Sequence, residues 1–247
     1  MDWFDASSAP EEYQAVAWIA DAASLIQGIG WSMHYLGLAY TSYQQRTYSA
    51  SLLPLCCNFA WEFVYAIIYP PSNPIQRTVV TTWLVLNIFV VYFAIRFAQN
   101  EWIHAPLVQR HMALLIAVSI VGFASGHLAL AATVGPGRAA NWGAFLCFTM
   151  LCAGSVGQLL SRGSSRGASY ALWLSRFIGS YVGSVCFAMR GTYWPEAFSW
   201  LDYPIVKWHG AICLVLDIWY PIILRSIRQS EQQKQGAFLG AEKQKAN

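Results

Sequence analysis

Charge is scarce in this chain. Of its 247 residues only 11% are Asp, Glu, Lys or Arg, against roughly 25% in an ordinary soluble domain. A surface facing water on all sides is therefore excluded. The net charge of +3 is small and thinly spread, which excludes a nucleic-acid partner. There is no Cys-x-x-Cys pair. Cys56, Cys57, Cys147, Cys152, Cys186 and Cys213 all fall in apolar segments, where a thiol behaves as a small apolar side chain. A disulfide-stapled secreted domain is excluded, and a metal or redox centre is not expected. No Asn-x-Ser/Thr sequon and no internal repeat is present; the latter counts against a repeat-built transporter. The first lysine is Lys207, at the edge of the last apolar segment, so no lysine is placed for a retinal Schiff base. The five histidines are scattered, unlike the clustered ligands of a metal hydroxylase or desaturase. Neither Gly-x-Ser-x-Gly nor His-Glu-x-x-His occurs, which removes the common intramembrane hydrolase motifs.

What is there is apolar and aromatic: 56% hydrophobic residues, 15% Phe, Trp or Tyr, and a mean hydropathy of +0.38. Crossing the hydrocarbon takes about 20 apolar residues. Seven segments qualify, at 15–38, 50–69, 78–98, 111–132, 141–160, 168–190 and 207–224. Turn and breaker sequences separate them, such as Pro70-Pro71-Ser72-Asn73-Pro74 and Gly135-Pro136-Gly137-Arg138. Backbone groups in lipid must be satisfied within the segment. The expected fold is all-α: one transmembrane domain of seven helices over 1–228, with a polar, disordered cytosolic tail over 229–247. No cleavable signal peptide is expected, because the start is acidic (Asp2, Asp5, Glu11, Glu12) and the first span is too long.

Basic residues orient the bundle. Arg46, Arg96, Arg110, Arg162, Arg166, Arg225, Arg228, Lys234, Lys243 and Lys245 fall on the C-terminal side. Only Arg77, Arg138, Arg190 and Lys207 fall on the other. The C-terminus is expected in the cytosol and the N-terminus in the lumen or outside.

Against this background, two carboxylates stand out. Glu62 is 12 residues into the second span and Asp217 is 10 into the seventh. At about 1.5 Å per residue both reach mid-bilayer, where an ionisable group marks a functional site. Asn58, Glu62, Tyr65 and Tyr69 recur at helical spacing on one face, and Tyr220 lies one turn beyond Asp217. Asp21 belongs nearer the interface. Arg176 is the basic residue well inside a span, where it needs a carboxylate, backbone carbonyls or a water-filled cleft. His34, His127 and His209 read as structural. Trp3, Trp102, Trp194 and Trp200 read as an interfacial belt. Trp61, Tyr65, Trp83, Trp219 and Tyr220 lie deeper, where aromatic faces stabilise a cation by about 2 kcal/mol or more when desolvated. Acids inside aromatic walls suit the making and steering of a carbocation. A proton-coupled transporter also uses paired intramembrane acids, and a non-catalytic subunit of a membrane biosynthetic complex is a third alternative.

The run Asn58-Phe59-Ala60-Trp61-Glu62-Phe63-Val64-Tyr65, together with Leu216-Asp217-Ile218-Trp219-Tyr220-Pro221, resembles the fungal integral-membrane terpene cyclases of meroterpenoid and indole-diterpene pathways (the paxilline- and pyripyropene-type cyclases). The resemblance covers nearly the whole chain. It implies an endoplasmic-reticulum membrane enzyme of secondary metabolism that protonates an epoxide, or an alkene, on a prenylated aromatic or polyketide-derived substrate. An epoxyfarnesyl chain is the expected partner. The prenyl chain then cyclises through a carbocation, and Glu62 and Asp217 match the family's two essential acids. The resemblance implies no metal or other cofactor; the sequence likewise holds no Asp-Asp-x-x-Asp cluster for a diphosphate. Burial disfavours the charged form of a carboxyl, which suits Glu62 to proton donation. Asp217 could share or relay that proton or polarise the epoxide from the other side, and which of the two acids delivers it stays open. If Arg176 enters the pocket, it should pair with Asp217 rather than with the donor. Asn58, Trp61, Tyr65, Tyr69, Arg176, Trp219 and Tyr220 are the expected substrate-binding residues.

Overall fold

The computed structural model describes residues 8–246, and of 240–243, 245 and 246 the backbone alone. Asp2, Trp3 and Asp5 lie outside the described residues. Among those described, all regular structure is helical. The helices are α1 (Glu11–Gln45), α2 (Leu52–Phe63), α3 (Pro74–Phe97), α4 (Pro106–Val134), α5 (Pro136–Arg162), α6 (Tyr170–Tyr193), the single turn α7 (Pro195–Phe198) and α8 (Pro204–Ala246).

Five of them, α3, α4, α5, α6 and α8, are long and apolar enough to cross a membrane. Helix α2 with its π-helical continuation Val64–Ile68 is shorter but apolar. Helix α1 is long enough, yet Glu11, Glu12, Asp21, Gln27 and His34 dilute its hydropathy. The boundaries follow local chemistry. Asn73 caps α3 by accepting from the Ile75 and Gln76 amides at 2.9 and 3.3 Å, with Pro74 in the first turn. Ser169 caps α6 through the Leu172 amide at 3.1 Å. Gly163, at φ 55°, ends α5 in the left-handed conformation that favours glycine.

Helix α1 packs along α6, α2 against α3, α4 and α5, and α5 against α8. The α1–α6 contact is close because Gly30 faces Gly179: a Cβ at Gly30 would stand 2.7 Å from the Gly179 Cα. Small residues facing each other are the usual means of close helix approach in lipid. The main core gathers Trp31, Tyr35, Trp61, Tyr65 and Trp83. Helix α4 buries only Met112, Ile116, His127 and Ala131 and turns Leu114, Val118 and Val121 outward, the disposition of a helix on the lipid side of a bundle.

Three expectations need correction here. Trp194 and Trp200 do not form an interfacial belt: with Tyr13 and Phe198 they are buried in a second core, because the chain folds back after α6. Arg190, counted with the outer charges, is buried there too; its Nε donates to the Tyr13 hydroxyl at 3.3 Å and its Cζ lies 5.5 Å from the Phe198 ring centroid. Nor does the backbone lose helical structure at 229, since α8 continues to Ala246. The segment is rich in Gln, Lys, Glu and Ala, which favour helix, and Glu231 is tied to the α5–α6 connection by Ser164 Oγ, Ser165 N and Ser165 Oγ at 3.0, 2.8 and 2.7 Å.

Candidate active site

Glu62 is fully buried on α2, and three helices converge on it. Asn58, one turn earlier, donates from Nδ2 to Glu62 Oε1 at 2.9 Å and to the Tyr35 hydroxyl at 2.6 Å. Tyr35, from α1, makes a direct hydrogen bond to the same Oε1. Asn87, from α3, donates to Oε2 at 2.8 Å. All these donors are neutral. The pairing of Asn58 with Glu62 is the ordinary i, i+4 relation; Tyr35 and Asn87 come from elsewhere in the chain and were not among the expected site residues.

Asp217 has a different setting. On α8 it forms an ion pair with Arg176 of α6, and both side chains are buried. Arg176 Nη1 also reaches Cys152 Sγ at 2.9 Å, and Cys152 in turn lies 3.8 Å from Asp217 Oδ2. Trp173 Nε1 donates to the Asp217 backbone carbonyl at 2.8 Å, which steadies α8 against α6. The guanidinium lies 5.7 Å from the centroid of the Phe148 ring. Arg176 is thereby committed to one acid and not the other. Removing either partner would strand a buried charge.

A cavity of about 220 Å³ is framed by α1, α2, α3, α5, α6 and α8. Its aromatic wall includes Trp31, Tyr35, Trp61, Trp83, Phe148 and Phe187. Trp31 sits at the junction of these rings, 5.9 Å from Tyr35, 6.4 Å from Trp83 and 6.2 Å from Phe148. Indole N–H groups are satisfied away from the space: Trp61 donates to the Ala140 carbonyl at 2.8 Å and Trp83 to that of Gly28 at 3.3 Å. The polar wall differs. Ser180 and Tyr181 line the cavity; Ser180 Oγ is buried without a hydrogen-bond partner, while the buried Tyr181 hydroxyl interacts with the Asp217 carboxylate. His209 also lines it, its Nδ1 held by Thr149 Oγ1 at 2.6 Å and its ring stacked 4.6 Å from Phe145.

The expected binding residues divide into three groups. Asn58 and Trp61 line the cavity. Arg176 stands behind it, on Asp217. Tyr65, Tyr69, Tyr220 and Trp219 lie elsewhere. The π turn at Val64–Ile68 breaks the face that Asn58 and Glu62 would share with Tyr65 and Tyr69. Tyr65 packs against His127 of α4, and Tyr69 against Tyr65. Tyr220 is buried between α5 and α8 with Leu159 and Leu224. Trp219 is 56% exposed on the outer surface of the bundle, since residue 219 points away from the face that holds Asp217 and Tyr220.

One group among the described residues has the donors to hold a metal ion. Cys57, His127 and Cys147, from α2, α4 and α5, bring their ligand atoms within 4.8 Å of one another. No sequence spacing announces this. The Cys57 Sγ–Cys147 Sγ and Cys57 Sγ–His127 Nε2 distances of 3.6 and 3.8 Å are also ordinary sulfur hydrogen bonds.

Comparison with known proteins adds an independent line. The model of the Pyr4-like transmembrane terpene cyclases matches residues 4–230. Terpene cyclase pyr4 of Aspergillus fumigatus is 58% identical over 94% of this chain and 97% of its own length. Terpene cyclase cdmG of Talaromyces verruculosus is 50% identical, over 94% and 97%. Terpene cyclase paxB of Penicillium paxilli is 45% identical, over 94% and 96%. No solved structure matches the chain.

Proposed function

The chain belongs to the Pyr4-like transmembrane terpene cyclases, and from that premise we propose that it cyclises an epoxidised prenyl chain attached to an aromatic or polyketide-derived head. The observation that carries this reading is the cavity itself. Aromatic rings wall it, and a buried carboxyl with only neutral hydrogen-bond partners stands behind two of its lining residues. A transporter is not favoured by this kinship.

In this reading Glu62 supplies the proton. The donor set suits a neutral acid: Oε2 accepts from Asn87 as a carbonyl oxygen, while Oε1 can carry the hydrogen. Protonation of the epoxide oxygen breaks its bond to the more substituted carbon. Neighbouring alkenes attack in sequence, and Trp31, Trp61 and Trp83 stabilise the cation as it migrates. Asp217, paired with Arg176, keeps the opposite polar structure neutral as a unit and orients the wall residues of α6 and α8. The Ser180 hydroxyl, buried without a partner, is a donor for an oxygenated head group, and the Tyr181 hydroxyl beside Asp217 is a second polar group of that wall. Loss of a proton from the final cation, or from a head-group hydroxyl that traps it, balances the proton consumed.

We further propose seven crossings, with the C-terminus cytosolic and the protein in the endoplasmic reticulum. The contacts at one end of the bundle support alternation. Arg166 of the α5–α6 connection meets Gln45 and Arg46 after α1, at 2.8 and 3.0 Å, and Glu101 after α3, at 3.0 Å. Glu231 of the α8 extension joins the same end. The C-terminal ends of α1, α3 and α5 and the turn of α8 around Glu231 therefore lie together, and α2, α4 and α6 run back between them.

The test is conversion of a small panel of epoxyprenylated aromatic and polyketide-type compounds by microsomes containing the protein, followed by product analysis. A cyclised isomer of one of them is the expected outcome. Ionophore-sensitive proton uptake with every substrate unchanged would overturn it.

A further inference from the structure

Glu62 is fully buried and is not part of the cavity wall. A donor in that position needs an intermediary. Two side chains both bond Glu62 and line the cavity, Tyr35 and Asn58. Only one of them can pass a proton. An amide nitrogen donates its hydrogens but does not readily exchange one for another, whereas a phenol oxygen accepts on a lone pair while releasing its own hydrogen. Asn58 instead braces the pair, donating to the Tyr35 oxygen at 2.6 Å and to Glu62 at 2.9 Å. Helix α1, which carries Tyr35, is held close to α6 through Gly30 and Gly179, and Trp31 packs its ring at 5.9 Å from that of Tyr35. The phenol is fixed at both ends.

We propose that Tyr35 is the group that touches the epoxide oxygen, relaying to it the proton of Glu62. This rests on the cyclase reading above. With Glu62 protonated, its O–H donates to the Tyr35 oxygen and the Tyr35 O–H is released toward the cavity. In the reaction the Tyr35 hydrogen moves to the epoxide oxygen as the epoxide carbon–oxygen bond breaks, and the Glu62 hydrogen moves to Tyr35. Tyr35 ends neutral and Glu62 ends as carboxylate, held by Asn58 and Asn87. The proton lost when the cation is quenched restores the acid, so that substrate and product are isomers and no co-reactant is consumed.

The experiment compares Y35F and E62Q in detergent-purified full-length protein with the substrate identified by the microsomal panel, and measures the wild-type rate in H2O–D2O mixtures. General acids contribute on the order of 10²–10⁴-fold. Y35F should therefore lose about 100-fold or more in kcat, with KM within about threefold of wild type, and the wild-type rate should fall along a bowed curve as two hydrogens move together. Replacement of Tyr35 by 3-fluorotyrosine, which keeps the shape and alters phenol acidity, should change kcat even if Y35F fails to fold. E62Q inactive beside a Y35F enzyme of near wild-type kcat would overturn the relay alone, as would a linear isotope curve or an unchanged fluorotyrosine rate. An active E62Q would overturn the cyclase mechanism on which the relay rests.

Discussion

Arg176 forms its ion pair with Asp217 and leaves Glu62 to neutral partners. The two mid-span acids are thereby given unlike surroundings, one balanced by a guanidinium and the other by amides and a phenol. Breaking a buried pair costs about 3–5 kcal/mol because it strands a charge. Arg176→Met and Asp217→Leu should each lower the unfolding temperature in detergent strongly. The double variant should recover more than half of that loss. Additive losses in the double variant would show that the pair is not the source.

Gly30 and Gly179 predict a steric asymmetry. Gly30→Leu must displace the α6 backbone, since a Cβ there already stands 2.7 Å from Gly179 Cα. Overpacking costs typically about 1–3 kcal/mol, and activity should fall as Trp31 and Tyr35 move. Gly122 on α4 has nothing within 4 Å of its would-be Cβ. Gly122→Ala should leave activity unchanged and thermal stability equal or higher. Melting curves of the two variants check this contrast.

Asn87 predicts a catalytic effect without contact with the cavity. Its Nδ2 holds Glu62 Oε2 at 2.8 Å, while its Oδ1 is buried without a partner. Asn87→Leu removes the one donor on that oxygen. A hydrogen bond left unmade at a buried group costs about 1–3 kcal/mol, so kcat should fall by roughly tenfold to 100-fold while KM changes little. Steady-state kinetics with an equal kcat and a raised KM would count against this role.

The tryptophans should separate by position. Trp31 lines the cavity and Trp219 lies on the outer face, 56% exposed. Trp31→Leu should reduce turnover by about tenfold or more, as expected from a desolvated cation–π contribution near 2 kcal/mol, and should release partly cyclised products. Trp219→Leu should turn over at close to the wild-type rate. Product profiles by mass spectrometry distinguish the two.

How much of this was legible beforehand depended on whether partners lay on one helix. The i, i+4 spacing placed Asn58 beside Glu62, and Arg176, for which a carboxylate was one of three possible partners, is paired with Asp217. Tyr35 and Asn87 could not be found that way, because each reaches Glu62 from another helix and no periodicity in one segment records a contact between two. Tyr65 and Tyr69 were misplaced because the spacing assumed an unbroken α-helix where the chain makes a π turn at Val64–Ile68. Trp219 was misplaced by depth: being level with Asp217 says nothing about which side of α8 a ring faces. Trp194 and Trp200 resembled a belt in composition alone, and tertiary folding after α6 buried them.

The central claim is that the Glu62 carboxyl supplies the initiating proton, and Glu62→Gln tests it most directly. Glutamine keeps the size and the acceptor for Asn87 but has no acidic hydrogen. The measurement is product formation from an epoxyprenyl substrate by purified E62Q whose melting temperature lies within a few degrees of wild type. The account predicts intact substrate and no cyclised isomer. Cyclisation at the wild-type rate by that folded variant would contradict it.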